Sequence, residues 1–265
     1  FKQRGFDTSG IRIQPQNLDV REFVAYNESF ETNRVNPVSH FARRGMTVPK
    51  SLLGYQPDRR PDEALRLTVR DIPDDYLTAR AAYICPMDLV TQTQLIAGLK
   101  RGTVHSFILD PSPVTMTPTS RRELPALLNG VTAFLPSEEE VRALFHGRST
   151  DLWEMAEALS AYGCEMIVFK RGERGQYLYV ASTLSRWEIP PYPAHLKNPV
   201  GAGDAFCGGF LAGYRRSYDP LEAVLYGNIS ASLVVEGNSP AYALDAHPAL
   251  ANARLEALRQ SVRKL

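Results

Sequence analysis

The sequence predicts an α/β domain whose mostly parallel sheet is covered by helices on both faces. Two observations carry this. From about residue 80 onward, short apolar runs alternate with amphipathic stretches, and those stretches begin and end on helix start and stop signals. The 265 residues, 44% of them hydrophobic, also suffice for one large domain with a substantial core.

The elements follow in order. "AAYIC" (81–85), "VHSFILD" (104–110), "VTAFLP" (131–136) and "EMIVFK" (165–170) read as buried strands. Between them, "DLVTQTQLIAGLKR", "SRRELPALLNG", "SEEEVRALFHG" and "DLWEMAEALSAYG" have helical periodicity. Ser120 with Glu123, Ser137 with Glu140, and Asp151 with Glu154 fit capping boxes, and Gly130, Gly147 and Gly163 sit where C-caps belong. Strand, helix, strand in repetition implies right-handed crossovers. After residue 170, "GQYLYVA" and "SRWEIP" read as an antiparallel pair, followed by helices at roughly 203–216, 220–236 and 248–263. Residues 1–75 have weak periodicity and read as strands and loops lying over a site. Parallel sheets bind ligands beyond the strands' carboxyl ends, so the loops after "FILD", "AFLP" and "VFK" are expected to converge.

Composition excludes several classes. A net charge of +1 offers no surface for nucleic acid or an anionic membrane. The apolar runs are too short for a transmembrane span. Cys85, Cys164 and Cys207 lack metal-ligand spacing and read as reduced thiols of a cytoplasmic protein.

Chemistry concentrates in "NPVGAGDAFCGGF" (198–210), which sets one carboxylate, Asp204, at a helix start among glycines. A dinucleotide fingerprint fails, because its third glycine position falls on Phe206, and no P-loop occurs. What remains is a turn that presents free N–H groups at a helix N-terminus, which suits phosphate. The residues alone leave a second reading open: Asp204 merely caps a helix packed closely through Gly208 and Gly209.

This stretch resembles the C-terminal signature of the ribokinase-like (PfkB) family of carbohydrate and nucleoside kinases. Gly201, Ala202, Gly203, Asp204, Ala205, Phe206, Gly208, Gly209 and Phe210 all match. "PSEEE", "FKRGERG" and "YGNISASLVVEG" resemble further family elements in the required order, and the resemblance covers roughly residues 70 to 245. It implies a three-layer α/β/α ribokinase-like fold, one domain over 1–265, with a small lid from about residues 11 to 45. It implies ATP and Mg²⁺ as cofactors, with Asp204 as base and Gly201, Ala202 and Gly203 forming the anion hole. Ser137, Lys170, Gly172, Glu173, Gly175 and Asn228 are expected at the nucleotide and Glu140 at the metal, although Ser137 and Glu140 equally read as a plain capping box. The acceptor is a sugar, a sugar-like alcohol or a nucleoside, and a homodimer through the lid is expected. A non-catalytic binder with the kinase fold is the reading from another class.

The sequence departs from the family pattern in three places. Asn198 and Pro199 stand where Asp-Thr is usual, which weakens a monovalent-cation site. Ser137 replaces the usual Asn. "GFDTSGI" (5–11) resembles a stretch that follows the family's substrate-gripping front, and that front does not precede it. The expectation is that residues 1–265 belong to a longer chain and are poorly soluble and inactive alone.

Overall fold

The structure, a computed structural model, describes residues 1–13, 15, 19, 21, 23–26, 32–33, 36–55 and 66–265. It divides into two compact units, Phe1–Leu67 and Thr68–Leu265. In the first, β1 (Ala25–Tyr26) pairs antiparallel with β2 (Thr32–Asn33), and α1 (Pro37–Ala42) follows. Asn36 caps α1 by accepting from Val38 N–H, and Pro37 occupies the position where a missing N–H costs nothing. The expected lid at 11–45 falls partly on residues outside those described.

The second unit runs β3 (Ala81–Ile84), α2 (Leu89–Leu99), β4 (Ser106–Leu109), α3 (Leu124–Leu128), β5 (Ala133–Phe134), α4 (Glu138–Leu144), α5 (Leu152–Ser160) and β6 (Met166–Lys170). It continues with β7 (Gln176–Val180), β8 (Ser185–Ile189), α6 (Ala202–Ser217), α7 (Pro220–Val234), α8 (Pro248–Arg259) and β9 (Arg263–Lys264). The strands lie side by side in chain order, parallel from β3 to β6 and antiparallel from β6 to β9. The sheet is therefore mixed, with the parallel part in its amino-terminal half.

Sequential order has a consequence for the layers. Right-handed crossovers between successive neighbours all land on one face. Phe107, Leu109, Phe134 and Phe169 accordingly pack with Ile96, Leu127, Val141 and Met155 from α2 to α5. The other face needs separate cover, and Ile108, Leu135 and Val168 meet Phe206, Phe210, Val224 and Leu255 from α6, α7 and α8. Successive residues of one strand point to opposite faces, so with both faces buried the strands read as unbroken apolar runs.

Two local expectations are corrected. The Ser120 capping box does not form: Ser120–Arg122 is a 3₁₀ turn and α3 begins only at Leu124. Pro125 lacks an N–H and its ring crowds the preceding backbone, which delays the helix to its own first turn. The last helix ends at Arg259, and Arg263 and Lys264 instead pair with Glu188 and Trp187 as β9.

The second pair of glycines in the motif divides in its use. A Cβ on Gly209 would overlap the Ser230 hydroxyl, and one on Gly213 would lie 2.7 Å from Tyr226 Cβ. Gly227 on α7 meets the Phe206 carbonyl oxygen in the same way, at 2.8 Å. These glycines let α6 and α7 approach closely, whereas Gly208 faces open space.

Candidate active site

The carboxyl ends of the four parallel strands gather the chemistry. Tyr83 comes from β3, Asp110 directly follows β4, Ser137 and Glu140 open the helix after β5, and Lys170 ends β6. Lys170 Nζ lies 2.7 Å from Asp110 Oδ1 and 3.8 Å from Cys207 Sγ on α6. The Tyr83 hydroxyl lies 3.3 Å from Asp110 Oδ2 and 3.3 Å from Asp204 Oδ1. Gln92 Nε2 donates to the carbonyls of Cys85 and Asp110 at 2.8 and 2.7 Å, tying the ends of β3 and β4 together.

Asp110 is 4% exposed, and burial pushes its carboxyl up while Lys170 opposes that shift. Burial likewise works against the Lys170 charge, but the Asp110 and Glu140 carboxylates outweigh it and raise the ammonium above its ordinary value. Burial pushes up the Cys207 thiol and the Tyr83 phenol, so both keep their protons at neutral pH.

Over this pair sits the start of α6. Gly201 adopts φ +85°, a left-handed conformation that a side chain would resist. Among the described residues no side chain caps the helix, although Asp88, Ser137, Asp151, Asp219 and His247 cap α2, α4, α5, α7 and α8. Ala202 N donates to the Pro199 carbonyl at 3.2 Å, while the N–H groups of Gly203 and Asp204 stand without a cap at the positive end of the helix dipole. Asp204 lies exposed in that first turn. Among the described residues a Cβ on Gly203 would meet only Lys170 Nζ, at 3.8 Å. Lys170, its charge shared with Asp110 at 2.7 Å, thus stands beneath an uncapped helix end whose N–H groups suit an anion.

Ser137 and Glu140 form the capping box that their spacing predicts. Glu140 Oε2 accepts from Ser137 N at 2.6 Å, and Ser137 Oγ accepts from Glu140 N at 3.2 Å. Burial pushes the Glu140 carboxyl up and Lys170 counters it. Among the described residues no three His, Cys, Asp or Glu side chains cluster as a metal cage. Mg²⁺ does not need one: it keeps several waters and takes one or two carboxylates plus substrate phosphates. A buried carboxylate with one oxygen uncommitted to the cap fits that demand.

The loop after β6 is anchored from below by Glu138, which is 4% exposed. Its carboxylate accepts from Arg142 Nε at 2.7 Å and Arg171 Nε at 3.0 Å, with Arg174 at 3.2 Å. Arg171 also stacks over Tyr177, 3.8 Å from the ring centre. Gly172 and Glu173 are exposed on this loop. Gly175, at φ +78°, lies against β8, where a Cβ would overlap the Ile189 carbonyl oxygen.

Burial alone would raise the Glu138 carboxyl, but the bonds from Arg142 and Arg171 outweigh it and hold it below 4.5. Its stabilising effect is therefore complete above pH 4.5 and fades as pH falls through the lowered value. Glu138→Gln is expected to cost about 2 kcal/mol at pH 7. Thermal melts from pH 7 down to pH 3 should show the gap to wild type closing in acid.

Asn228 is corrected. It is 4% exposed, and its Nδ2 donates to Gln176 Oε1 (2.7 Å) and the Pro190 carbonyl (2.8 Å). Its Oδ1 accepts from Tyr192 N at 2.9 Å. Both donor hydrogens are spent on locking α7 to β7 and the segment after β8, so none is left for a nucleotide. Sequence reading also missed Tyr83, Asp110, Glu138 and Cys207. The available signal was that "FILD" and "VFK" each end an apolar run on a charge. A cavity of about 740 Å³ lies at the other end of β6, lined by Glu165, Met166, Ser185, Tyr214 and Tyr218, and shares no residue with this cluster.

A model of the pfkB family of carbohydrate kinases matches residues 82–246, which hold the whole cluster. The chain belongs to that family. It is 32% identical over 163 residues to cytidine kinase of Thermococcus kodakarensis, a match covering 59% of this chain and 55% of that protein. It is 25% identical over 234 residues to 5-dehydro-2-deoxygluconokinase of Clostridium tetani, covering 80% and 68% respectively. A structure described as an E. coli ribokinase II in complex with ATP and Mg²⁺ superposes with a TM-score of 0.59 at 20% identity, covering 72% of this chain and 63% of that one. The chain thus spans little more than half the length of the cytidine kinase. Among the described residues no helix is long and apolar enough to cross a membrane.

Proposed function

We propose that the protein carrying this chain transfers the γ-phosphoryl of ATP to a hydroxyl of a sugar, sugar-like alcohol or nucleoside. One observation carries the reading: the uncapped start of α6, with Asp204 in its first turn, stands beside a buried ammonium at the carboxyl ends of β3–β6. Phosphoryl transfer asks mainly for positioning and charge stabilisation, and backbone donors with one base meet that need.

The roles divide by reach. The N–H groups of Gly201, Gly203 and Asp204 hold the transferring phosphoryl, and Ala202 shapes the turn, its own N–H bonded to the Pro199 carbonyl. Asp204 accepts the proton of the attacking hydroxyl. The Lys170 ammonium adds positive charge beneath the turn, and the Gly172–Gly175 loop with Glu173 borders the nucleotide. Ser137 fixes Glu140, which would hold Mg²⁺ through water. Mg²⁺ neutralises phosphate oxygens when bound. ATP as donor and three free thiols fit a cytoplasmic setting.

The curated relatives leave the acceptor open between a nucleoside and a keto-sugar acid. The test is an acceptor panel with ATP and Mg²⁺ on the full-length protein: cytidine, inosine, ribose and 5-dehydro-2-deoxygluconate. Equal amounts of ADP and phosphorylated acceptor are expected with at least one of them. Nucleotide-independent binding of an acceptor without any ADP formed would favour the non-catalytic binder.

A further inference from the structure

Between the base and the buried ion pair stands a hydroxyl that the phosphoryl-transfer reading does not use. Tyr83 is the penultimate residue of β3, half-buried, with its ring packed against the α6–α7 side of the sheet. Its oxygen is 3.3 Å from a carboxylate oxygen of Asp110 and 3.3 Å from one of Asp204. A phenol carries one proton, so it can donate to only one of the two at a time.

The neighbours decide which. Asp110 already accepts from Lys170 at 2.7 Å and has the Cys207 thiol 3.5 Å from its other oxygen. Among the described residues, Tyr83 is the side chain that donates to Asp204. The other titratable groups facing this point are Cys85 directly after β3, whose thiol burial pushes up, and Glu140 from α4 through Lys170. Among the described residues neither is hydrogen-bonded to Asp204.

We propose that Tyr83 is a positioning residue for Asp204, its hydroxyl fixing one carboxylate oxygen so that the other faces the acceptor hydroxyl. This rests on Asp204 being the base. An exposed aspartate at a helix start has several rotamers, and a base must sit within hydrogen-bond reach of the proton it takes. Pinning one oxygen from the neighbouring strand end selects the productive rotamer before substrate arrives. The ring alone explains the packing of Tyr83. The hydroxyl between two carboxylates is what the packing leaves unexplained.

The test is a cycle of Asp204→Asn, Tyr83→Phe and the double variant in the full-length protein, with ATP, Mg²⁺ and an acceptor of the panel that wild type phosphorylates. Phenylalanine keeps the ring, so the melting temperature should stay within a few degrees of wild type. Tyr83→Phe is expected to lower kcat about tenfold, the weight of one hydrogen bond to a charged group, with KM for both substrates within about twofold. Added to Asp204→Asn, it should cost nothing further, because the carboxylate it serves is gone. Wild-type kcat in Tyr83→Phe, where Asp204→Asn is inactive, overturns the positioning role and leaves the base standing. A tenfold loss in both backgrounds also overturns it, since Tyr83 would then act independently of Asp204. Full turnover in Asp204→Asn removes the base, and this role with it.

Discussion

Asp204→Asn in the full-length protein is expected to lower turnover about 100-fold or more while ATP affinity stays within about threefold. The size follows from what the substitution removes. Asparagine keeps the shape, the place in the first turn of α6 and one acceptor oxygen for Tyr83, but it cannot take a proton. The N–H groups of the helix start and the Lys170 ammonium are untouched, so the anion locus that would receive the phosphates persists. Steady-state kinetics with a calorimetric ATP titration separate the two effects. A loss of ATP affinity as large as the loss of turnover would mean that Asp204 holds the nucleotide and is not the base.

The second large effect concerns stability. Lys170→Met should cost about 3–5 kcal/mol, because it leaves the Asp110 carboxylate buried and unpaired. For a unit of this size that is a fall of about 10 °C in melting temperature. Burial already pushes Asp110 up, and losing the ammonium moves it further in the same direction. A carboxyl raised in the folded state binds protons that the unfolded state does not, so stability declines as pH climbs from about 4. Lys170→Met should therefore melt closer to wild type at pH 5 than at pH 8. Adding Asp110→Asn should recover part of the loss at pH 8, since a neutral amide is cheaper to bury than a lone charge. Equal melting temperatures for Lys170→Met and wild type would show that the pair bears no strain of burial.

What the sequence disclosed depends on how local each feature is. "FILD" and "EMIVFK" read as strands because cover on both faces makes them continuous apolar runs. The capping box at Ser137 forms as read because a cap spans three residues, whereas at Asp151 only the N-cap half forms, the Glu154 carboxylate accepting from the Ser149 hydroxyl instead. Lys170 and Asp110 could not be paired in advance: they stand 60 residues apart on strands separated by β5, and only the order of the sheet brings them together. Tyr83 was hidden inside an apolar run, where an aromatic is the ordinary filling. Asn228 misled because its helix borders the site while its amide turns toward Pro190 and Tyr192. Ser120 failed because Pro125, five residues on, sets where α3 can begin.

The same division runs through the glycines of the signature, and it isolates the residue that tests the central claim. Gly209 is needed by the fold, since a side chain there would strike Ser230 on α7. Among the described residues nothing needs Gly203, whose added Cβ has only the end of Lys170 within 4 Å. If the turn at Gly201–Asp204 receives phosphate, the space above Gly203 belongs to the ligand. The measurement is a calorimetric titration of the full-length Gly203→Val protein with ATP and Mg²⁺, with its circular dichroism melt recorded alongside. A native melt with ATP affinity lowered about 100-fold or beyond detection is expected. Wild-type ATP affinity in a folded Gly203→Val protein would contradict the account, leaving the turn as nothing more than the start of a helix.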